Sequence, residues 1–162
     1  METLNIEERP TAREQEVLKL FQVAKEMTST DLAKKLGVKL AKNLKNGDII
    51  TFFGDLGSGK TTFIQGIAEG LGIKRRIISP TFIIVRQYKI QKGNFYHIDL
   101  YRTETRNDIQ SVGIKEILED SNNIIALEWA EKMNSLLPNK RIEIHCKYID
   151  ENKREIKIKK YE

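Results

Sequence analysis

The sequence contains one segment whose residue types and spacing are suited to holding a chain of phosphates. Residues 54–61 read GDLGSGKT and match the pattern G-x-x-x-x-G-K-[ST] in full. The apolar run Ile49–Phe53 comes directly before this segment, and residues with helical spacing follow it. In such a loop, backbone N–H groups and a helix N-terminus supply partial positive charge to an anion. The segment therefore predicts a P-loop that binds a nucleoside triphosphate.

The residue types within the loop indicate how it would hold the phosphates. The glycines at 54, 57 and 59 let the backbone come close to the anion and adopt positive φ angles. Lys60 would add a full positive charge at the β- and γ-phosphates, and Thr61 would offer its hydroxyl to Mg²⁺. The alternative is a glycine-rich turn that binds nothing, and the apolar run and helical pattern on either side argue against it.

Two acidic residues follow apolar runs elsewhere in the chain. Glu128 ends the run Ile124–Leu127, and Asp99 ends the run Phe95–Ile98. In open α/β sheets, the carboxyl ends of the strands lie beside the bound ligand. We therefore expect Glu128 to hold Mg²⁺, directly or through water, or to orient an attacking water, with Asp99 as the second candidate. The alternative for both residues is a carboxylate that only caps a helix or a turn.

The base of the nucleotide is expected to be adenine. GTPases read guanine with an Asn-Lys-x-Asp motif, and the two Asn-Lys pairs of this chain, at 139–142 and 152–155, both lack the aspartate. No Asp-x-x-Gly sequence follows the P-loop either. The sequence therefore favours ATP over GTP.

Hydrophobic periodicity and turn residues predict an α/β fold. Helices are predicted from Ser29 to a turn at Asn46–Asp48, from Lys60 to Leu71, and from Asp108 to Leu118. Strands are predicted at Ile49–Phe53, Phe82–Val85, Phe95–Ile98 and Asn123–Leu127, with an alternating hairpin at the C-terminus. This order indicates a P-loop NTPase-like three-layer fold around one mixed β-sheet. We expect an N-terminal extension at residues 1–25 and a P-loop ATPase domain at residues 26–162.

Composition limits the remaining classes of function. The chain has 162 residues, the length of one domain, and a net charge of +5 that permits a polyanionic partner. The lysines near the C-terminus are typical of a solvated edge strand, and contact with RNA or an acidic partner stays open. The single cysteine, Cys146, excludes an internal disulfide framework and a multi-cysteine zinc site, and its alternation with apolar residues indicates a core position. Neither an apolar run of about 18 residues nor a signal peptide is present, so we expect a cytoplasmic protein with no membrane contact.

Four blocks of sequence occur together in a characteristic order. They are the P-loop with Thr62 and Phe63, then Ser79-Pro80-Thr81-Phe82, then His97-Ile98-Asp99-Leu100-Tyr101-Arg102, and finally Glu128-Trp129. Over about residues 26–160 the chain resembles the bacterial TsaE (YjeE) family, the small ATPase of the tRNA threonylcarbamoyladenosine pathway. It departs from that family at Ala130, where the family often has proline, and in a longer N-terminal arm.

The resemblance implies a role for each matching residue. Phosphate contacts would come from Gly57, Ser58, Gly59, Lys60, Thr61 and Thr62, and other nucleotide contacts from Thr30, Trp129, Glu131 and Arg154. Mg²⁺ would lie at Thr61, Glu128 and Asp99. Catalysis would involve Lys60, Asp99, Glu128 and Thr81, with Thr81 in a switch-like segment near the γ-phosphate.

The resemblance also implies partners and a place in a process. In the family, TsaD and its companion TsaB transfer the threonylcarbamoyl group to tRNA. The TsaE-like subunit binds their dimer, hydrolyses ATP to reset the complex, and meets tRNA only indirectly through it. The expected cofactors are ATP and Mg²⁺.

Two other functions compete with a partner-activated ATPase. One is a small-molecule P-loop kinase, because Arg75 with Arg76, or Arg102 with Arg106, imitates the arginine-rich lid of such enzymes. No acceptor pocket motif follows, and the Ser79–Phe82 block has no role in that interpretation. The other is a nucleotide-dependent binding module without useful turnover. An ATPase assay with and without the TsaD–TsaB pair distinguishes all three.

Overall fold

The computed structural model describes residues 29–150 and 154–161, without the side chains of Ser29, Thr30 and Arg106. The predicted N-terminal extension, residues 1–25, lies outside this part of the chain. Within it, the helices are α1 (Ser29–Ala41), α2 (Lys60–Gly70), α3 (Arg106–Ser111) and α4 (Ile114–Glu119), with a 3₁₀ segment at Ala130–Leu136. The strands are β1 (Ile49–Phe53), β2 (Val85–Lys89), β3 (Asn94–Asp99), β4 (Asn123–Glu128), β5 (Arg141–Tyr148) and β6 (Arg154–Tyr161).

The six strands form one mixed sheet in the order β2-β3-β4-β1-β5-β6. The inner strands β3, β4, β1 and β5 are parallel, and β2 and β6 pair antiparallel to them as the two edges. In this register Glu128 is opposite both Phe52 of β1 and Asp99 of β3. The carboxyl ends of β1, β3 and β4 therefore meet at one edge of the sheet, where the P-loop also begins.

Helices cover both faces of the sheet, so the predicted three-layer α/β fold is confirmed. The first face packs against α1 and α2 through a core that includes Phe52, Phe63 and Phe95, each fully buried. The second face packs against α3, α4 and the 3₁₀ segment, where Ile114 and Leu127 are buried. Burying a side chain of this size contributes about 1.5–3 kcal/mol, so both layers hold the sheet in place.

Three predicted elements differ from the structure. The stretch Phe82–Val85 was predicted as a strand, but β2 starts only at Val85, because the carbonyl of Pro80 accepts the N–H groups of Ile83 and Ile84 in a turn. The helix predicted from Asp108 to Leu118 is two short helices. Gly113 separates them with a φ angle of 68°. The first helix also ends earlier than expected, at Ala41.

Helices α1 and α2 cross at glycines, which leaves no room between their backbones. A Cβ atom on Gly37 would lie 2.2 Å from the carbonyl oxygen of Phe63, and one on Gly66 would lie 2.0 Å from that of Lys34. On Gly70, it would lie 2.5 Å from Cβ of Ala41. Because α2 begins at the P-loop, this contact fixes the helix that the phosphate site depends on.

Gly66→Ala should destabilise the fold although alanine favours helices. The added methyl group meets backbone, which cannot move aside as a flexible side chain can, and overpacking of this kind costs roughly 1–3 kcal/mol. Thermal unfolding should show a midpoint several degrees lower. Glu69→Ala is the matched control, since Glu69 is an exposed residue of the same helix in a surface ion pair with Lys34. Equal midpoints for the two variants would contradict the close packing.

No helix in the described residues is long and apolar enough to cross a membrane.

Candidate functional site

The P-loop joins β1 to α2 and depends on glycines at its start and end. A Cβ atom on Gly54 would lie 2.0 Å from the carbonyl oxygen of Cys146, so only glycine fits between the loop and β5. Gly59 stands at the N-cap of α2 with a φ angle of 101°, in the left-handed region. The loop thus turns tightly into α2, whose first N–H groups are available to an anion.

Lys60 lies at the base of the loop, and its side chain reaches back over it. Its Nζ atom donates to the carbonyl oxygens of Gly54, at 2.5 Å, and Asp55, at 2.9 Å. The same ammonium lies 4.1 Å from the centre of the Trp129 ring. Only 4% of the residue is exposed. The loop therefore carries a buried positive charge that is held by two carbonyls and an indole face.

Glu128 forms the second part of the site, at the end of β4. The hydroxyl of Thr61 donates to its carboxylate, at 2.9 Å from Oε1 and 3.1 Å from Oε2. Nε2 of His97 lies 2.8 Å from Oε1. The structure thus brings together the hydroxyl and the carboxylate that the sequence predicted as Mg²⁺ ligands, and adds a histidine behind them.

Asp99 forms the third part, at the end of β3. Its Oδ2 atom accepts from the hydroxyls of Ser79 and Thr81, the latter at 2.7 Å. Its Oδ1 atom accepts from the backbone N–H of Tyr101 at 2.9 Å. Asp99 therefore ties the segment after α2 to the sheet. The guanidinium of Arg102, three residues further along the chain, lies 4.3 Å from the Phe82 ring centre.

The three parts surround a cavity of about 270 Å³ at the carboxyl edge of the sheet. Its lining combines backbone of the loop, hydroxyls, two carboxylates, one ammonium and two aromatic rings. The lining residues are Leu56, Gly57, Gly59, Lys60, Thr61, Thr62, Ser79, Thr81, Asp99, Tyr101, Glu128 and Trp129.

The oxygen donors of this cavity suit a magnesium ion better than a transition metal. Residues 29–150 and 154–161 contain no group of three or more His, Cys, Asp or Glu that could hold a metal alone. Mg²⁺ usually takes one or two carboxylates and completes its shell with phosphate oxygens and water. Thr61, Glu128 and Asp99 fit that partial donor set.

Three of the residues expected at the nucleotide do not line the cavity, and the side chain of a fourth is not among those described. Glu131 is exposed in the 3₁₀ segment. The Arg154 guanidinium lies 4.1 Å from the Tyr148 ring centre, at the β5–β6 hairpin. Ser58 is buried beneath the loop, and its Oγ atom has no hydrogen-bond partner among the described residues. Thr30 lies in the first turn of α1, and its side chain is outside the described part. Their roles at the nucleotide stay predictions.

Three residues of the site had no role assigned from the sequence. Ser79 and Tyr101 belong to the sequence blocks quoted above, and the structure places both in the cavity wall. His97 lies behind Glu128 and is fully buried. Their place in those sequence blocks was the signal that could have marked them as site residues. Their contacts could not be found from the sequence, because these depend on which strands are neighbours.

Cys146 lies beside the site without taking part in it. The residue is 3% exposed, which confirms its predicted core position. Burial raises the pKa of its thiol to about 12, so the sulfur is protonated at neutral pH and is a poor nucleophile. Its contribution to the site is the backbone carbonyl beneath Gly54.

Known proteins match this chain over most of its length. The model of the family described as "Threonylcarbamoyl adenosine biosynthesis protein TsaE" matches residues 27–156. The protein of that name from Rickettsia typhi is 39% identical over 135 residues, which cover 83% of this chain and 92% of the relative. The one from a Nostoc species is 36% identical over 146 residues, covering 88% and 86%.

The fold also matches a solved structure. The crystal structure of YdiB from Bacillus subtilis superposes with a TM-score of 0.70 at 32% sequence identity. The match covers 84% of this chain and 83% of that one. The family model and the relatives agree with the four sequence blocks that converge on one cavity, and the chain belongs to the TsaE family.

Proposed function

We propose that this chain is the ATP-binding and ATP-hydrolysing subunit of the machinery that makes threonylcarbamoyladenosine in tRNA. The observation that carries the proposal is the cavity in which Lys60, Thr61, Asp99 and Glu128 converge. Its relatives are named as tRNA threonylcarbamoyladenosine biosynthesis proteins, which supports the pathway. The proposed partner is a TsaD–TsaB-like complex that transfers the group to tRNA.

The P-loop would hold the triphosphate with backbone N–H groups and with Lys60. The ammonium of Lys60 already faces the loop, and its contacts with two carbonyls keep it there before a phosphate arrives. Mg²⁺ would be held by Thr61, Glu128 and Asp99. When bound, it neutralises charge on the β- and γ-phosphates.

The two carboxylates are suited to different tasks. Glu128 accepts a hydrogen bond from Thr61, so it can orient that hydroxyl with its oxygen toward a ligand. Asp99 accepts from Ser79 and Thr81, so any movement of that segment changes what surrounds the carboxylate. We propose that Glu128 acts at the metal side and that Asp99 connects the hydrolytic site to the segment 79–84.

The isolated protein should hydrolyse ATP slowly and be activated by its partners. No arginine of the described residues lines the cavity, and the guanidinium of Arg102 rests on the exposed ring of Phe82. P-loop enzymes that lack a charge-neutralising arginine are slow, and one supplied by a partner adds about 10³–10⁵-fold. The test is steady-state hydrolysis with the TsaD–TsaB dimer titrated in. Fast turnover by the chain alone, with no response to the dimer, would favour a stand-alone enzyme.

Thr81→Ala should uncouple partner activation from ATP binding. The variant removes one of the two hydroxyls that hold the segment to Asp99, whereas the P-loop and Lys60 stay intact. We expect ATP affinity within about threefold of wild type, because phosphate binding rests on the loop, and a loss of most of the stimulation by the dimer. Thr105→Ala, at the α3 cap, is the control hydroxyl outside the cavity. Full stimulation of Thr81→Ala would remove Thr81 from the proposed switch.

Steady-state hydrolysis with the TsaD–TsaB dimer titrated in also separates the proposed ATPase from a small-molecule kinase and from a binding module. The kinase interpretation gains no support from the family match or from the relatives. A binding module without turnover would bind ATP and the dimer and release no phosphate above background.

A further inference from the structure

We propose that His97 is a positioning residue, which holds the Glu128 carboxylate against Thr61 so that the two approach the metal as one unit. The inference rests on the proposed function, because it concerns how the same cavity would take up magnesium. Among the described residues, His97 is not part of the cavity lining, and its hydrogen bond to the site is with Glu128.

Strand register brings the two side chains together. In the parallel pair of β3 and β4, His97 lies opposite Ala126, two residues before Glu128 and on the same face of the sheet. The ring therefore reaches along the strand direction to the carboxylate, and Nε2 lies 2.8 Å from Oε1. Both side chains are almost completely shielded, with 0% of the histidine and 4% of the glutamate side chain exposed. Water does not compete for this bond.

Donor and acceptor roles in the cluster follow from the chemistry. A carboxylate only accepts hydrogen bonds, so the proton of this bond is on Nε2 of His97. Thr61 donates its hydroxyl proton to the same carboxylate. Glu128 thus receives two donors, both at Oε1, which restricts its rotation and leaves the lone pairs of the Thr61 oxygen available to a ligand.

Packing alone does not account for a histidine at this position. Nδ1 is buried and has no hydrogen-bond partner among the described residues. Leaving a buried polar atom unpaired carries a desolvation cost, and a fully apolar side chain would avoid it. The adjacent Ala126 and the preceding residue on that face of β3, Phe95, are apolar and buried, and the following one, Asp99, bonds to Ser79 and Thr81 instead. Within the described part of the chain, the ring makes one polar contact, with Glu128, and we assign the histidine to that contact.

The loss of magnesium affinity on replacing His97 should be as large as for other residues that orient a metal ligand. Removing a residue that orients a ligand typically costs 10–100-fold in metal affinity or activity. We expect that His97→Leu needs roughly 10–100-fold more Mg²⁺ than the wild type to enhance ADP affinity to the same extent. Affinity for ADP without magnesium should stay within about threefold, because the P-loop supplies that binding.

The experiment compares three substitutions by calorimetric titration of ADP at a series of Mg²⁺ concentrations. His97→Gln places an amide N–H where Nε2 was, so this variant should keep most of the wild-type magnesium affinity. His97→Asn has the same chemistry but is too short to reach Glu128, so it should behave as His97→Leu does. The Gln and Asn pair also covers the case in which the leucine variant fails to fold, which thermal unfolding will reveal.

A double-mutant cycle tests whether His97 acts through Glu128. In the Glu128→Gln background, His97→Leu should cause little further loss, since the carboxylate that it positions is gone. Additive losses, or equal magnesium affinities for the Gln and Asn variants, would overturn the proposal. If the wild-type protein itself binds ADP with no magnesium dependence, the proposed metal site fails, and the inference fails with it.

Discussion

Lys60→Ala is expected to abolish measurable ATP binding while the protein stays folded. Lys60 supplies the one full positive side-chain charge in the loop itself, and it is nearly completely buried. Hydrogen bonds from a charged group to another charged group contribute about 1.5–3 kcal/mol each, and this ammonium would make them to two phosphates. The affinity should therefore fall by roughly 10²-fold or more. Calorimetric titration with ATP measures it, and circular dichroism checks the fold.

A surface lysine provides the control for net charge. Lys115→Ala removes the same charge from α4, where the side chain is 79% exposed and lies 3.8 Å from Glu119. Its ATP affinity should equal that of the wild type. If Lys60→Ala also binds and turns over ATP as the wild type does, the phosphate site has been assigned to the wrong loop.

Glu128→Gln should impair hydrolysis far more than ATP binding. The carboxylate accepts hydrogen bonds from Thr61 and His97 together. Both donors contact Oε1, which an amide oxygen can replace, but the NH₂ group in the place of Oε2 faces the Thr61 hydroxyl and the negative charge is gone. Since the phosphates are held by the loop, ATP affinity should change by only a few fold. Turnover in the assembled complex should fall about 10²-fold or more, the scale of removing one preorganised electrostatic group.

Asp99→Asn should have an effect of the same kind, because its Oδ2 atom accepts two hydroxyls and an amide NH₂ in that place would meet donors. Glu119→Gln, on the exposed face of α4, controls for the loss of a negative charge. Single-turnover kinetics separates hydrolysis from binding. Wild-type rates for Glu128→Gln and Asp99→Asn in the complex would show that neither carboxylate takes part in the chemistry.

The phosphate site could be predicted because its parts are local in sequence. A buried strand, a glycine-rich turn and a helix follow each other within 49–70, and each has its own residue signal. The acids at 99 and 128 could be predicted for a different reason. Both end buried strands, and parallel strands end at one edge, so their proximity follows from topology without knowledge of the strand order.

The contacts behind the site could not be predicted, because they depend on register. His97 reaches Glu128 because β3 lies next to β4 and because their register places Asp99 opposite Glu128. One sequence fixes neither of those facts. The turn at Thr81–Ile84 was missed for a local reason, since its β-branched and aromatic residues favour a strand. There the carbonyl of Pro80 captures two N–H groups, and Phe82 ends 82% exposed.

The contact between Lys60 and Trp129 has an optical consequence. The chain contains one tryptophan, so its indole emission comes from this site alone. The ammonium lies 4.1 Å from the ring centre, and a charge so close shifts the energy of the excited indole. A phosphate that draws Lys60 toward itself removes that charge from the ring. The unlabelled protein should therefore signal occupancy of its P-loop by a change in fluorescence, fast enough to be followed in a stopped-flow instrument.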